Sequence, residues 1–176
     1  FTPAGERIFT TTFFQHPGGG QRDGLIHAIY GGVYGKVHGV LDGHLRTRQG
    51  TMPVLTHLGA AAPCGLACLA ANELGQEWKN NLISTAFNLH QVIRHELVPK
   101  GATFQTQDTP IVDTDDLDFH PTDVLEDADG SLLIVDTGGW YKLCCPTSQL
   151  HKPDVLGGIY RFSRRDAAPI DDPYGQ

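Results

Sequence analysis

The sequence predicts an all-β fold built from repeated antiparallel sheets, the arrangement found in the blades of a β-propeller. A hairpin signal stands at Asp129-Gly130, just before the apolar run 131–136, because an Asp-Gly pair adopts the positive backbone angles of a tight turn at low cost. A similar order of strands occurs earlier, where Leu82-Ile83 corresponds to Leu132-Leu133. A recurring unit of this kind, with weak helical signals throughout the chain, is typical of propeller blades.

Length and charge limit the classes of function. The chain has 176 residues, 40% of them hydrophobic, and a formal net charge of -7. This length suits one domain or part of a larger one, and the negative charge argues against nucleic acid or an anionic membrane surface as a partner. No apolar run approaches the length of a transmembrane helix, so we expect no direct membrane insertion by this segment. Because it begins at Phe1 in a strand-like stretch, we expect a segment of a longer protein.

Residues 1–165 form the predicted propeller domain. Residues 1–15 form part of a blade, with a turn at Thr2-Pro3-Ala4-Gly5 before a Thr- and Phe-rich strand. Residues 16–50 are rich in Gly and aromatic residues, so we expect a long irregular loop over one face. We expect residues 52–98 and 111–163 to form two blades and residues 166–176 to form an exit linker to a following domain.

The blade at 111–163 contains three predicted strands with a tight first turn and a long second loop. The run 131–136 is apolar enough to be buried on both faces, and Ile159–Phe162 alternates like a half-exposed strand. The preceding blade follows the same order. Pro63-x-Gly65-Leu66 of this blade matches Pro121-x-Asp123-Val124 of the next blade. Val92-Ile93-Arg94 likewise matches Tyr160-Arg161-Phe162 or its neighbours.

Two sets of segments carry a family resemblance. Pro63–Leu66, Trp78–Ile83 and Val92–Arg94 resemble one blade of the glucose/sorbosone dehydrogenase-like six-bladed propellers. His120–Val124, Asp129–Asp136 and Gly158–Arg161 resemble the next blade. When Trp140-Tyr141 and Cys145-Pro146-Thr147-Ser148-Gln149 are included, the sequence of this second blade is similar to that of the membrane-bound dehydrogenase propellers of planctomycete-type bacteria.

The resemblance implies a six-bladed propeller of which this chain holds about three blades. It implies an exported bacterial protein, periplasmic or associated with the cell surface, with a fused or partner cytochrome domain. Relatives in that family bind pyrroloquinoline quinone and calcium over the central channel and oxidise a sugar with a His as base. The chain departs from the pattern at His120-Pro121-Thr122-Asp123, where the family often has Arg-Pro-x-Gly. The guanidinium that would clamp a quinone carboxylate is then missing.

His120 and Asp123 are the candidate catalytic pair. They stand at the start of a predicted inner strand, where propeller residues approach the axis, and a carboxylate can orient an imidazole that acts as a base. The alternative is a hydrogen-bonded pair that fixes the loop between blades. His57 and Cys64 flank the corresponding position of the preceding blade and are candidate binding residues.

An acidic cluster and an aromatic pair are further candidates. Asp113, Asp115, Asp116 and Asp118 offer hard oxygen ligands for calcium, although their spacing does not match a calcium loop and a solvated acidic loop is the alternative. Trp140 and Tyr141 follow two glycines and could stack on a sugar ring or a quinone, or else fill a blade interface.

The four cysteines do not follow a zinc-site spacing, since Cys64 and Cys68 are four apart and Cys144 and Cys145 are adjacent. One interpretation is a disulfide from Cys64 to Cys144 or Cys145, or a bridge within the adjacent pair, as suits an exported protein. The other is buried free thiols.

Two functions remain open from the sequence. The first is a sugar or alcohol dehydrogenase propeller that passes electrons to a quinone or a haem acceptor. The second is a non-catalytic propeller that binds carbohydrate or a protein, because fold resemblance does not decide function.

Overall fold

The structure is a computed structural model that describes residues 1–12, 22–35, 43, 50–142 and 149–166, with the backbone alone at 140–142 and 149–151. The described part is nearly all β. It contains no α-helix, and its two short 3₁₀ turns lie at Gln76–Trp78 and Phe87–Leu89. The strands are β1 (Ile8–Thr12), β2 (Asp23–His27), β3 (Thr56–Gly59), β4 (Pro63–Cys68), β5 (Leu82–Ala86), β6 (Gln91–Lys100), β7 (Thr103–Asp113), β8 (Pro121–Glu126), β9 (Leu132–Asp136), β10 (Trp140–Lys142), β11 (Gln149–His151) and β12 (Gly158–Phe162).

The first sheet has the strand order β1-β2-β3, and both pairings are antiparallel. The predicted turn before β1 is confirmed by the hydrogen bond from Gly5 N–H to the Thr2 carbonyl, 2.9 Å long. The structure corrects the predicted loop at 16–50, because β2 lies within it as the central strand. β2 forms because both of its neighbours supply backbone partners, and the buried carboxylate of Asp23 accepts the Ala62 N–H at 2.8 Å.

The second sheet has four strands in the order β4-β5-β6-β7. β5 (LISTA) is buried along its whole length, as a strand covered on both faces must be. The predicted blade at 52–98 does not coincide with this sheet: β3 belongs to the first sheet, and β7 extends the second sheet to Asp113. β7 is polar and largely exposed, and its long hairpin pairing with β6 places it in the sheet.

The third sheet has the order β12-β9-β8, which confirms the three strands predicted between residues 121 and 162. The Asp-Gly turn joins β8 to β9, and Gly130 has a φ of 77°, which favours glycine. The long second loop contains the two-stranded pair β10 and β11, with Trp140 opposite His151. The long loop therefore contributes a two-stranded antiparallel sheet of its own.

The second sheet lies between the first and the third. One of its faces packs on the first sheet through Leu82, together with Ile8 and Leu25. Its other face packs on the third sheet through a larger apolar cluster, formed by Leu69, Leu74, Ile83, Val92, Val124, Leu132 and Ile134. The three sheets form no closed barrel. They stack face to face as consecutive blades do, so the chain is an all-β partial β-propeller.

The first strands of the three sheets come together at one side of the stack. Thr10 in β1 donates its hydroxyl hydrogen to the Cys64 carbonyl in β4, with 3.0 Å between the two oxygens. Gly65 in β4 approaches β8 so closely that a Cβ there would lie 2.6 Å from the Asp123 Cα. This convergence of β1, β4 and β8 is the arrangement of inner strands around a propeller axis.

Candidate functional site

Asp123 and Cys64 lie at the convergence of β4 and β8. Asp123 is exposed, and its Oδ1 accepts the Val124 N–H at 2.9 Å. Gly65 provides the space for this carboxylate, because an added Cβ would clash with Asp123 Oδ1. The structure therefore brings Asp123 to the inner side of the stack, beside the strand that carries Cys64.

The Cys64 thiol is kept protonated by its surroundings. It is exposed and donates its hydrogen to the Ala62 carbonyl at 3.3 Å. Partial burial of the sulfur, and then the charge of Asp123, raise the pKa of the Cys64 thiol above its usual value. A protonated thiol is a weak nucleophile and a poor metal ligand, so Asp123 is the charged group of this pair.

His120 lies at the start of β8 but is buried, with 4% of its surface exposed. Its Nδ1 donates to the Gly138 carbonyl at 2.9 Å, with the Asp118 carbonyl at 3.1 Å. Its backbone N–H donates to Asp136 Oδ1 at 2.8 Å. The Nδ1 side of the imidazole is thus oriented by two backbone carbonyls. This contact pattern matches a residue that fixes the loops around it.

Two aromatic rings pack against the His120 imidazole. The ring centroids of Phe87 and His90 lie 4.8 and 5.3 Å from it. His90 Nδ1 donates to the Phe119 carbonyl at 2.6 Å. The connection between β5 and β6 is therefore fixed to the start of β8, which places His120 inside a contact between the second and third sheets.

The acidic residues before β8 are held by local partners. Asp113 accepts a hydrogen bond from Gln91 Nε2 at 2.9 Å, and Asp116 accepts the Asp118 N–H at 2.9 Å. Lys152 forms an ion pair with Asp118. Among the residues that the structure describes, no three or more His, Cys, Asp or Glu side chains are grouped to hold a metal ion. The predicted calcium set at Asp113, Asp115, Asp116 and Asp118 is therefore not assembled.

A quinone with its calcium ion does not fit the described residues of the inner strands. The start of β8 carries His120-Pro121 where an arginine would be needed to clamp the quinone carboxylates. The one exposed carboxylate there, Asp123, stands without the further oxygen ligands that calcium requires. We assign no cofactor contact to the described part of the chain.

The other predicted site residues lie elsewhere. His57 is exposed on β3 and pairs with Gly24, so it belongs to the first sheet rather than to the start of β4. Trp140 and Tyr141 form β10, and their stacking on a ligand stays a prediction. Cys64 and Cys68 are free thiols, which agrees with the second of the two interpretations, although Cys64 is exposed rather than buried. Cys144 and Cys145 lie outside the described residues.

A row of buried hydrogen bonds, which we call the polar relay, runs from Ser84 through His95 and Asp108 to Thr56 and joins the first two sheets. Ser84 donates its hydroxyl hydrogen to His95 Nε2 at 2.7 Å, and His95 Nδ1 donates to Asp108 Oδ1 at 2.7 Å. Thr56 of the first sheet donates to Asp108 Oδ2 at 2.6 Å. The order resembles a hydrolytic triad, but Ser84 and His95 are fully buried, so no substrate can reach the hydroxyl. The relay links β3, β5, β6 and β7 instead.

Asp108 is the charged member of this relay. Partial burial would raise the pKa of its carboxyl, but hydrogen bonds from His95 and Thr56 outweigh it and lower the pKa below its usual value. A second link between the same sheets runs through His27, whose Nε2 donates to Glu6 at 2.7 Å while Thr103 donates to its Nδ1 at 3.0 Å. In a strand whose alternate residues are buried, a polar residue such as His95 at a buried position is the sequence pattern that indicates such a relay.

No helix in the part of the chain that the structure describes is long and apolar enough to span a membrane. No curated protein and no solved structure matched the sequence in our comparisons. One family model does match, over residues 29–162, and it covers both the second and the third sheet. The chain therefore belongs to the family described as Domain of unknown function (DUF7133).

Proposed function

We propose that this chain is part of a β-propeller that binds a sugar or an alcohol beside β4 and β8, within an exported dehydrogenase. The observation that supports the proposal is the exposed Asp123 carboxylate at the convergence of the first strands. Binding sites in propellers are commonly placed where such strands converge. The oxidising cofactor and the quinone or haem acceptor are supplied outside the described residues in this proposal.

Asp123 has the chemistry to recognise hydroxyl groups. An ionised carboxylate accepts several hydrogen bonds, and those to a charged acceptor are stronger than neutral ones. The Val124 N–H already fixes Oδ1, so the side chain is oriented before a ligand arrives. Because Gly65 has no side chain, the neighbouring strand leaves the carboxylate accessible. In this proposal, a pair of ligand hydroxyl groups donates to Asp123.

A titration of the protein expressed from its complete natural gene tests this binding. Aldoses, alditols and short primary alcohols are the probes, and calorimetry gives the dissociation constants. We expect Asp123→Asn to weaken binding about tenfold, since a neutral amide replaces the charged acceptor of the ligand hydroxyl groups. Asp154→Asn, a change at an exposed carboxylate in the turn before β12, should leave binding unchanged. Equal affinities of the two variants, or no binding by the unaltered protein, would contradict the proposal.

A second candidate is a propeller that binds carbohydrate or a protein without turnover. The observation that favours it is the burial of His120, because a side chain that is 4% exposed is poorly placed to take a proton from a ligand. Dye-linked oxidation of the same probes, with quinone and calcium added, separates the two candidates. Turnover that is lost in Asp123→Asn supports the dehydrogenase, whereas binding without turnover supports the second candidate.

A further inference from the structure

The peptide group between Cys64 and Gly65 lies where β4 approaches β8. Strand pairing is irregular at this point, because the register of β4 against β5 shifts between Pro63 and Leu66. A bulge of this kind leaves a residue outside the regular ladder of backbone hydrogen bonds and bends its strand locally. The Cys64–Gly65 peptide therefore depends on partners outside the ladder to fix its orientation.

Two threonine hydroxyl groups, from two different sheets, hold this peptide. Thr10 of β1 donates its hydroxyl hydrogen to the Cys64 carbonyl, with 3.0 Å between the two oxygens. Thr85 of β5 accepts the Gly65 N–H at 2.8 Å and is fully buried. Because this C=O and this N–H belong to one planar peptide group, the two hydroxyl groups together fix the plane of that group.

Asp123 of the third sheet lies against the peptide that the threonines hold. A Cβ at Gly65 would be 2.6 Å from the Asp123 Cα and 2.8 Å from the Val124 nitrogen, so the two backbones are in direct contact. A rotation of the Cys64–Gly65 peptide would therefore move the surface on which Asp123 rests. The thiol of Cys64 senses this arrangement, since burial and then the charge of Asp123 raise its pKa.

The second and third sheets differ at the positions involved. Counted from the paired proline of each first strand, Gly65 corresponds to Asp123. By the same register, Thr85 corresponds to Val135. The sheet whose first strand carries glycine thus has a hydroxyl group on the next strand, whereas the sheet whose first strand carries aspartate has valine there. The Thr85 hydroxyl is therefore specific to the sheet that receives Asp123 and is not repeated in the next sheet.

We infer that Thr10 and Thr85 are positioning residues for the Asp123 carboxylate. They hold the Cys64–Gly65 peptide, and this peptide holds Asp123 in place. The inference concerns the geometry at β4 and β8 and requires no ligand. Its consequence for sugar or alcohol binding, a weaker affinity when Thr85 is changed, rests on the proposed function.

A mutant cycle on the protein expressed from its complete natural gene tests the inference. Alkylation of Cys64 by iodoacetamide is followed by peptide mass spectrometry at a series of pH values. We call the factor by which Asp123→Asn increases this rate the Asp123 effect. With both threonines present we expect an Asp123 effect of about threefold near pH 8, because the change removes a nearby negative charge.

Thr85→Val should reduce the Asp123 effect to less than about 1.5-fold, because valine has a similar shape but cannot accept the Gly65 N–H. Thr10→Val should reduce the effect in the same direction, and it provides the same test at a less buried position if Thr85→Val does not fold. Thr85→Ser keeps a hydroxyl group and should retain the full effect. Thr109→Val, at an exposed position of β7, is the matched control and should also retain it.

Two results would overturn the inference. The first is a full Asp123 effect in folded Thr85→Val and Thr10→Val, since both threonines would then act on stability alone; chemical denaturation shows that each variant is folded. The second is an Asp123 effect of one with both threonines present, because the carboxylate would then not be held close to Cys64.

Titration of the same proteins with aldoses and short alcohols separates this inference from the proposed function. A reduced Asp123 effect in Thr85→Val, without ligand binding by the unaltered protein, would support the positioning role and contradict the proposed function. Ligand binding by the unaltered protein, with a full Asp123 effect in Thr85→Val, would support the proposed function and contradict the positioning role.

Discussion

His95 and Asp108 lie opposite each other on β6 and β7, and 2.7 Å separates the imidazole Nδ1 from the carboxylate Oδ1. His95 is fully buried, and the carboxylate also accepts a hydrogen bond from Thr56 of the neighbouring sheet. This pair therefore couples the stability of the second sheet to its contact with the first sheet.

In the Asp108→Asn variant, the free energy of unfolding should depend less on pH in the acid range. The pKa of Asp108 is lowered in the folded protein, so its contribution is complete above the carboxyl pKa of the unfolded chain, about 3.9, and is lost as the pH falls through the folded value. We expect the variant to be less stable at pH 7 and to approach the unaltered protein below about pH 4. Urea unfolding at a series of pH values measures this. A constant difference at every pH would contradict the assignment.

Ser84→Ala should destabilise the fold without changing the surface. The variant leaves the buried His95 Nε2 without its hydrogen-bond donor, which costs about 1–3 kcal/mol in the free energy of unfolding. Ser163→Ala, at an exposed serine after β12, is the control and should change stability by less than about 0.5 kcal/mol. Chemical denaturation of both variants measures the difference. If Ser84→Ala behaved like the control, the relay would not stabilise the protein.

Gly65→Ala tests the close approach of β4 to β8. A Cβ at position 65 would lie 2.6 Å from the Asp123 Cα, so the two strands must separate, at a cost of about 1–3 kcal/mol. Gly158→Ala is a suitable control, because the nearest atom to its Cβ would be 3.7 Å away, an ordinary contact. Thermal unfolding should show a lower midpoint for Gly65→Ala alone. Equal midpoints would mean that β4 and β8 are not in contact.

The reactivity of Cys64 should report the charge of Asp123. Because burial and then the Asp123 charge raise the pKa of the Cys64 thiol, Asp123→Asn lowers that pKa and increases the thiolate fraction at pH 8. We expect faster alkylation of Cys64 by iodoacetamide in this variant, with Asp154→Asn as the control. Peptide mass spectrometry resolves Cys64 from Cys68. An unchanged rate in Asp123→Asn would show that the two groups are not electrostatically coupled.

The sequence predicts the parts of the fold that depend on local signals. The β8–β9 hairpin follows from Asp129-Gly130, and the position of β12 follows from its alternation. β2 and β7 are not predictable in this way: β2 begins with Asp-Gly, which resembles a turn, and β7 is polar and mostly exposed. Both are strands because of pairing with distant segments, and such pairing leaves little trace in local sequence.

The candidate site was predictable only in part. Asp123 stands on β8 against Gly65 of β4, and its role in binding stays a prediction. The burial of His120 depends on Phe87 and on the Gly138 carbonyl, which are distant in sequence, so the spacing of His120 and Asp123 does not reveal it. The predicted internal repeat agrees with the strand pairing to within one residue. Arg94 pairs with Ile83 as Arg161 pairs with Leu133, whereas the sequence comparison aligned Arg94 with the next residue, Phe162.

A double-mutant cycle tests most directly whether the second and third sheets stack face to face. The pair is Ile83→Ala in β5 and Ile134→Ala in β9, two buried residues of one apolar cluster. Each variant alone should lower the free energy of unfolding by about 2–5 kcal/mol. For stacked sheets we predict a coupling energy of about 0.5–3 kcal/mol between the two changes, and additive effects for Ile83→Ala with Leu25→Ala, which lies on the opposite side of the second sheet. A coupling energy of zero between Ile83 and Ile134 would contradict the stacked arrangement.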